Sequence, residues 1–322
     1  MRPAFSVVAF TVLSGAGLGA LVVLALADVI GALGYAYVGR NVLLQGAAFA
    51  LVLVAGGLVA SVFHLGAPRN AWKSLARWRT SWLSREAAAA LLLFACAAVW
   101  WLLVRADAGP SIRAVTSIVV AVLAWSTLYF TAMIYASLKP IRQWNTRRVP
   151  ASYFALGHAS GALIVVALLR MHDEPSAGVA IVTAVLLFVA AWVKLDYYAY
   201  IASDVRRLSL EQAIGVAQGV RPPGADASRM RARLLDVGHS AGTFLTHEFV
   251  HVLHPARRTT LRLVFWIAAI AIPAAWLALG LHEPFASALV VVACLVGIGA
   301  ERWLFFAEAR HTVRLYHGDR ST

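Results

Sequence analysis

SVVAFTVLSGAGLGALVVLALADVI, residues 6–30, contains one ionisable side chain, Asp28, in 25 consecutive positions. At about 1.5 Å of rise per residue, a helix of this length crosses the ~30 Å hydrocarbon core of a bilayer. A cleaved signal segment would have an apolar core of only about 7–15 residues and a more basic head than Arg2. Ala25, Leu26 and Ala27 are therefore read as part of a span and not as a cleavage site.

Seven further runs meet the same standard, near residues 42–63, 87–105, 115–137, 152–170, 177–200, 261–280 and 286–307. Composition agrees, because 61% of the 322 residues are hydrophobic and 13% charged, where a soluble domain carries about a quarter charged residues. Mean hydropathy is +0.75. Run length excludes a barrel, whose strands need only about 9–11 residues. The expected fold is an all-α integral membrane protein of eight transmembrane helices, arranged as two four-helix bundles in one membrane domain spanning residues 1–322.

Small residues indicate how the helices meet. Gly15 and Gly19 in the first helix, and Gly157 and Gly161 in the fifth, make faces on which two backbones can approach closely in lipid. GALVVLAL from Gly19 matches GALIVVAL from Gly161 at six of eight positions. That match fits a duplication of four helices into eight, and it also fits chance in a chain so rich in glycine, alanine and leucine.

The net charge is +13, but the basic residues lie between the apolar runs. They read as topology signals and docking surface, not as a contact for nucleic acid. With eight spans, the N-terminus, the loops near 64–86, 138–151 and 201–260, and the C-terminal tail share one face, which holds most of the Arg and Lys. The opposite face has Arg40, Arg105, Arg113 and Arg170. The positive-inside rule places the basic face and both termini in the cytoplasm. The 201–260 loop, with a capping box at Ser209 and Gln212 in SLEQAIG and the breaker GVRPPGAD after it, is read as a partner-docking surface that includes Arg229, Arg231 and Arg233.

The chemistry concentrates in HLGAPRNAWKSLARWRTSWLSRE, residues 64–86, where His64 ends the second helix and Glu86 begins the third. Ionisable groups at the edge of a membrane are costly to keep and are functional candidates by default. Imidazole exchanges a proton near neutral pH, and a partly buried carboxyl can do so too. The pair suits a hydrophobic substrate whose redox change moves protons, such as a quinone. Its ring would lie among Trp72, Trp78 and Trp82, with Arg85 beside them. On the bland reading the tryptophans are interface anchors, the basic residues are loop markers, and Glu86 complements the helix dipole.

HLGAPRNAWKSL followed by SWLSRE resembles the DmsC-like membrane anchor subunits of the dimethyl sulfoxide reductase family, within the NrfD/polysulfide reductase group. The resemblance extends from PAFSVVAFTVLSGAGLG at Pro3 to ERWLFFAEARHTV at Glu301. It implies a multi-pass protein of the bacterial cytoplasmic membrane. Such an anchor holds an iron–sulfur electron-transfer subunit and a molybdopterin catalytic subunit, and binds ubiquinone or menaquinone near the positions of His64 and Glu86. WRTSWLSRE, MIYASLKPIRQW at Met133 and the long loop look most like the SoeC-type anchors of cytoplasmic sulfite dehydrogenases. That likeness implies electrons passing from sulfite to the quinone pool, with no catalytic residue in this protein. The alternative within the family is an anchor that oxidises menaquinol for dimethyl sulfoxide reduction.

HEFVH, residues 247–251, matches the H-E-x-x-H zinc motif and supports a different alternative, a membrane metalloprotease. No third ligand is evident, and no metal is expected. No haem is expected either, because His158 alone among the ten histidines lies well within a span. Cys96 and Cys294 sit in apolar runs without ligand spacing. Asp28, Lys194 with Asp196, and Glu301 with Arg302 are read as paired structural ions or snorkelling ends. Pro273 is read as a kink in the seventh helix.

Overall fold

The computed structural model of the protein describes residues 3–35, 38–63, 68–203, 208–213 and 253–317. Eight long apolar helices run through it, and no strand occurs among the described residues. They are α1 (Phe5–Ala32), α2 (Arg40–Val62), α3 (Trp82–Arg105), α4 (Pro110–Ala136), α5 (Arg148–Met171), α6 (Ala177–Ala202), α7 (Pro255–Leu279) and α8 (Pro284–Ala307).

The eight spans follow the expected order, but several start earlier than apolarity alone indicates. Polar first turns carry start signals that a hydropathy window passes over. Proline at the first helical position, where no N–H is needed, opens α4, α7 and α8. Ser81 caps α3 by accepting a hydrogen bond from the Ser84 amide at 3.4 Å. Glu283 caps α8 through Ala286 N at 2.7 Å, and Gly280, in the left-handed region at φ 60°, closes α7. In the 201–260 loop, Ser209 and Gln212 exchange the two hydrogen bonds of a capping box, at 3.1 and 3.2 Å.

Four helices on each side form a ring: α1 to α2, α2 to α3, α3 to α4 and α4 back to α1, then the same sequence from α5 to α8. The bundles join through α1 against α5, flanked by α1 against α8 and α4 against α5. Every neighbour pair of the first bundle thus has a counterpart in the second, as parallel repeats produce. The joint is also where GALVVLAL and GALIVVAL lie. In the most apolar stretch of α1 and of α5, 83% of residues are buried, against 22% in α6.

Glycine makes this joint possible. A Cβ on Gly161 would strike the backbone of Gly19 and Ala20, and one on Gly19 would strike the Gly157 carbonyl. A Cβ on Gly157 would come within 3.0 Å of the Gly15 carbonyl oxygen. In lipid, where apolar surface gains little by leaving the solvent, such close van der Waals contact drives association.

In α7 the helix passes through a π turn, Phe265–Ala271, just before Pro273. Proline has no N–H for the carbonyl four residues back, at Ala269. The Cys294 thiol sits 3.9 Å from that carbonyl oxygen as a weak donor, and Gly297 lets α8 close on the same turn. The π turn thus ends just before Pro273, and buried Cys294 fits against it.

Gly161→Val should lower the thermal unfolding midpoint of the detergent-purified protein, because overpacking costs about 1–3 kcal/mol or more where backbone must move. The same change at Gly178, whose Cβ position is open, should leave the midpoint close to wild type.

Candidate functional site

Polar groups inside the bundle gather at the end where α1, α3, α5 and α7 begin and α4, α6 and α8 finish. Glu86 lies in the second turn of α3, 3% exposed. It sits deeper than the sequence suggests, because α3 starts at Trp82 and not at Glu86. Thr131 of α4 donates its hydroxyl to Glu86 Oε1 and also lies 3.0 Å from the Thr127 carbonyl. An ionisable group so buried needs a partner to hold it, and this hydroxyl is the partner supplied.

Trp82 lies one turn before Glu86 on α3. Its ring meets Tyr129 edge-on and Phe130 at a tilt, both with centroids 5.9 Å away, and the Arg85 guanidinium lies 4.3 Å over it. Arg85 does not pair with Glu86. It donates to the carbonyls of Trp78 at 3.0 Å and Arg79 at 2.6 Å, tying the end of the loop to the start of α3.

Pro68–Arg77 forms a 3-10 segment with Trp72 on it and Trp78 just after. Trp72 is 69% and Trp78 55% exposed, and neither ring packs against Trp82 among the described residues. The structure therefore brings together Trp82, Arg85, Glu86 and the backbone of Trp78, while Trp72 and the Trp78 ring face outward. His64, Arg229, Arg231, Arg233 and HEFVH lie outside the described residues. Among the described residues no cluster of three His, Cys, Asp or Glu is placed to hold a metal. His158 has its Nδ1 2.7 Å from the Phe154 carbonyl and its Nε2 2.8 Å from Trp125 Nε1.

Sequence reasoning missed Thr131, although Thr127, Thr131 and Tyr135 form a polar stripe at i, i+4 and i+8 on an apolar helix. Tyr135 continues that stripe into an aromatic cluster. It stacks on Tyr153 with centroids 5.9 Å apart and an interplanar angle of 23°, and it meets Trp144, Phe305 and Phe306 edge-on.

Beyond the cluster lies a buried ion triad. Lys194 of α6 hydrogen-bonds Glu301 of α8, both side chains being 1% exposed, and Arg302 Nε is 3.2 Å from Glu301 Oε2. Paired ions were the expectation here; Glu301 does meet its sequence neighbour Arg302, but Lys194 and Asp196 do not meet each other. Lys194 takes Glu301, while Asp196, which points the other way from α6, takes Arg148 at 2.7 and 2.9 Å. Asp28, at the opposite end of the bundle, accepts from Arg113, from Trp100 Nε1 at 2.9 Å and from Ser117 Oγ at 2.9 Å. Both of its oxygens are satisfied, which marks it as structural.

A sequence profile described as DMSO reductase anchor subunit (DmsC) matches residues 1–307. The protein belongs to the DmsC family. It is 32% identical to a sulfite dehydrogenase subunit of Allochromatium vinosum over 345 aligned positions, covering 98% of this protein and 99% of that relative. An anaerobic dimethyl sulfoxide reductase subunit of Escherichia coli is 32% identical over 121 residues, 37% of this protein and 42% of that one. Its Haemophilus influenzae namesake is 30% identical over 125 residues, 38% of this protein and 44% of its own length. No solved structure matches. Membership of the DmsC family and eight apolar helices together make this a multi-pass membrane protein whose relatives are subunits of oxidoreductase complexes.

The triad yields an asymmetric prediction. Glu301→Leu leaves two buried cations without a counter-ion and should cost about 3–5 kcal/mol, whereas Lys194→Met leaves a one-to-one pair with Arg302 and should cost less. Thermal unfolding of the two purified variants in detergent tests the order.

Proposed function

We propose that this DmsC-family protein is the quinone-reactive anchor of a heterotrimeric molybdenum and iron–sulfur oxidoreductase, passing electrons from cytoplasmic sulfite oxidation to the quinone pool. The observation that carries this reading is Glu86, a carboxyl buried in the second turn of α3 and held among the described residues by the Thr131 hydroxyl, with Trp82 one turn before it on the same helix. Such a donor set fits a planar ring with carbonyl oxygens on its rim, held by stacking and hydrogen bonding. When bound, a quinone would accept two electrons and two protons. Glu86 would hold and release one of those protons, Thr131 would orient the carboxyl, and His64 would hydrogen-bond the opposite carbonyl.

Choice of substrate rests on coverage. The sulfite dehydrogenase relative aligns from end to end, whereas the dimethyl sulfoxide reductase relatives align over less than half of this protein. The partner subunits would therefore oxidise sulfite to sulfate, releasing two electrons and two protons. They would dock on the basic face, which the distribution of Arg and Lys assigns to the cytoplasm, with Arg229, Arg231 and Arg233 among the contacts. A dimethyl sulfoxide reductase anchor would use the same site with electrons running the other way.

Membranes carrying the intact complex should reduce a quinone analogue when given sulfite. His64→Ala and Glu86→Gln should each remove that activity while leaving assembly and sulfite-dependent reduction of an artificial dye intact. Wild-type membranes that ignore sulfite but oxidise a quinol analogue with dimethyl sulfoxide would reverse the direction. Replacing Arg229, Arg231 and Arg233 with glutamate should release the partner subunits from washed membranes. Full retention would remove these residues from the docking surface.

A further inference from the structure

At the end of the molecule opposite Glu86, where α5 stops, α6 begins and α7 passes into the loop before α8, lies a groove of about 610 Å3. That volume falls within the ~300–1,000 Å3 range of small-molecule sites. Arg170, in the last turn of α5, lines it with only 4% of its surface exposed. The guanidinium lies 4.0 Å over the Trp276 ring, and Nη1 donates to the carbonyls of Leu281 at 2.8 Å and Trp276 at 3.4 Å. Its Nε has no partner. Asp173 and Glu174 line the same groove, yet among the described residues no carboxylate pairs with Arg170 and no cation pairs with either acid. Glu174 is held by a backbone amide, accepting from Gly39 N at 2.6 Å. Asp173 is exposed.

A buried guanidinium without a carboxylate calls for an anion. Beside it stands the start of α6, whose N-cap residue, Ser176, is buried and makes no capping bond with its side chain. Uncapped amides at a helix N-terminus favour phosphate oxygens, as does arginine. The two carboxylates in the same groove would repel a ligand that is only anionic, so its occupant carries a cation as well. A quaternary ammonium is held best by aromatic faces, but His282 is the one ring among the lining residues, and Trp276 is already covered by Arg170. A primary ammonium, which donates hydrogen bonds, suits Asp173 better. Ala180, Ile181 and Leu277 extend the groove along α6 and α7, and Ile181 is 67% exposed on this apolar flank. A phosphate, a primary amine and an apolar tail belong together in one common class of membrane molecule.

We propose that this groove binds an aminophospholipid, with its phosphate on Arg170 and the start of α6, its ammonium on Asp173, and an acyl chain along Ile181 and Leu277. The site does not involve Glu86 and stands apart from the quinone reading. α6 meets α7 chiefly through the last two turns of α7, Ile272–Leu279. A lipid seated beside that contact braces the second bundle where its ring of helices is thinnest.

The test titrates lipids onto the full-length protein in detergent, read by native mass spectrometry and by the thermal unfolding midpoint. Phosphatidylethanolamine should bind about tenfold more tightly than phosphatidylcholine or phosphatidylglycerol, the discrimination that one charge-assisted hydrogen bond supplies, and should raise the midpoint. Asp173 has a left-handed backbone at φ 53°, which asparagine tolerates. Asp173→Asn should therefore fold normally and lose the preference for phosphatidylethanolamine over phosphatidylglycerol. Arg170→Gln should weaken all three lipids, and Asp173→Asn decides alone if that variant fails to fold. Equal binding of the three lipids by wild type, or the full preference retained in Asp173→Asn, would overturn the proposal. Protection by inorganic phosphate equal to that by phosphatidylethanolamine would also overturn it, making the occupant a free anion.

Discussion

The α1–α5 contact sets the geometry of the whole molecule, because two backbones can lie this close only where neither helix carries a Cβ. Gly19 against Gly157 and Gly161 against Gly19 and Ala20 bring the helices to that distance. In water a hydrophobic core could hold two helices together at a looser spacing, but lipid offers no such drive. Once α1 and α5 are locked, α8 can reach α1 and α4 can reach α5, and these two contacts flank the joint on either side.

The same joint explains why charge can be buried at one end of the bundle. Lys194 of α6 reaches Glu301 and Arg302 of α8 through the packing of the second bundle. Removing ions from water costs several kcal/mol each, which their mutual attraction offsets only with good geometry and further hydrogen bonds. Arg302 supplies part of that geometry by lying on the face of Tyr153, and Lys194 by lying 4.1 Å from the centre of the Tyr197 ring. The aromatic cluster thus has two roles. It fills the end of the bundle, and its π faces stabilise cations that would otherwise be poorly solvated.

Glu86 contrasts with these ions. Among the described residues its support is a neutral hydroxyl, and Arg85 turns away to the loop carbonyls. Asp28, at the other end, is fixed by an arginine, an indole and a hydroxyl at once.

The sequence by itself determined the eight spans, the small-residue faces of α1 and α5, and the capping box at Ser209. These are local properties: an apolar run must form a helix in lipid because its backbone has no other hydrogen-bond partners, and caps act within one turn. Only the tertiary structure decided that Thr131 meets Glu86, that Arg85 does not, that Lys194 takes Glu301 over Asp196, and that Trp72 and Trp78 face outward. Those outcomes join residues far apart in the sequence, and nothing in the spacing along one helix fixes its rotation against the next. That rotation is set by where the backbones can touch, which is why the placement of four glycines governs which polar groups meet.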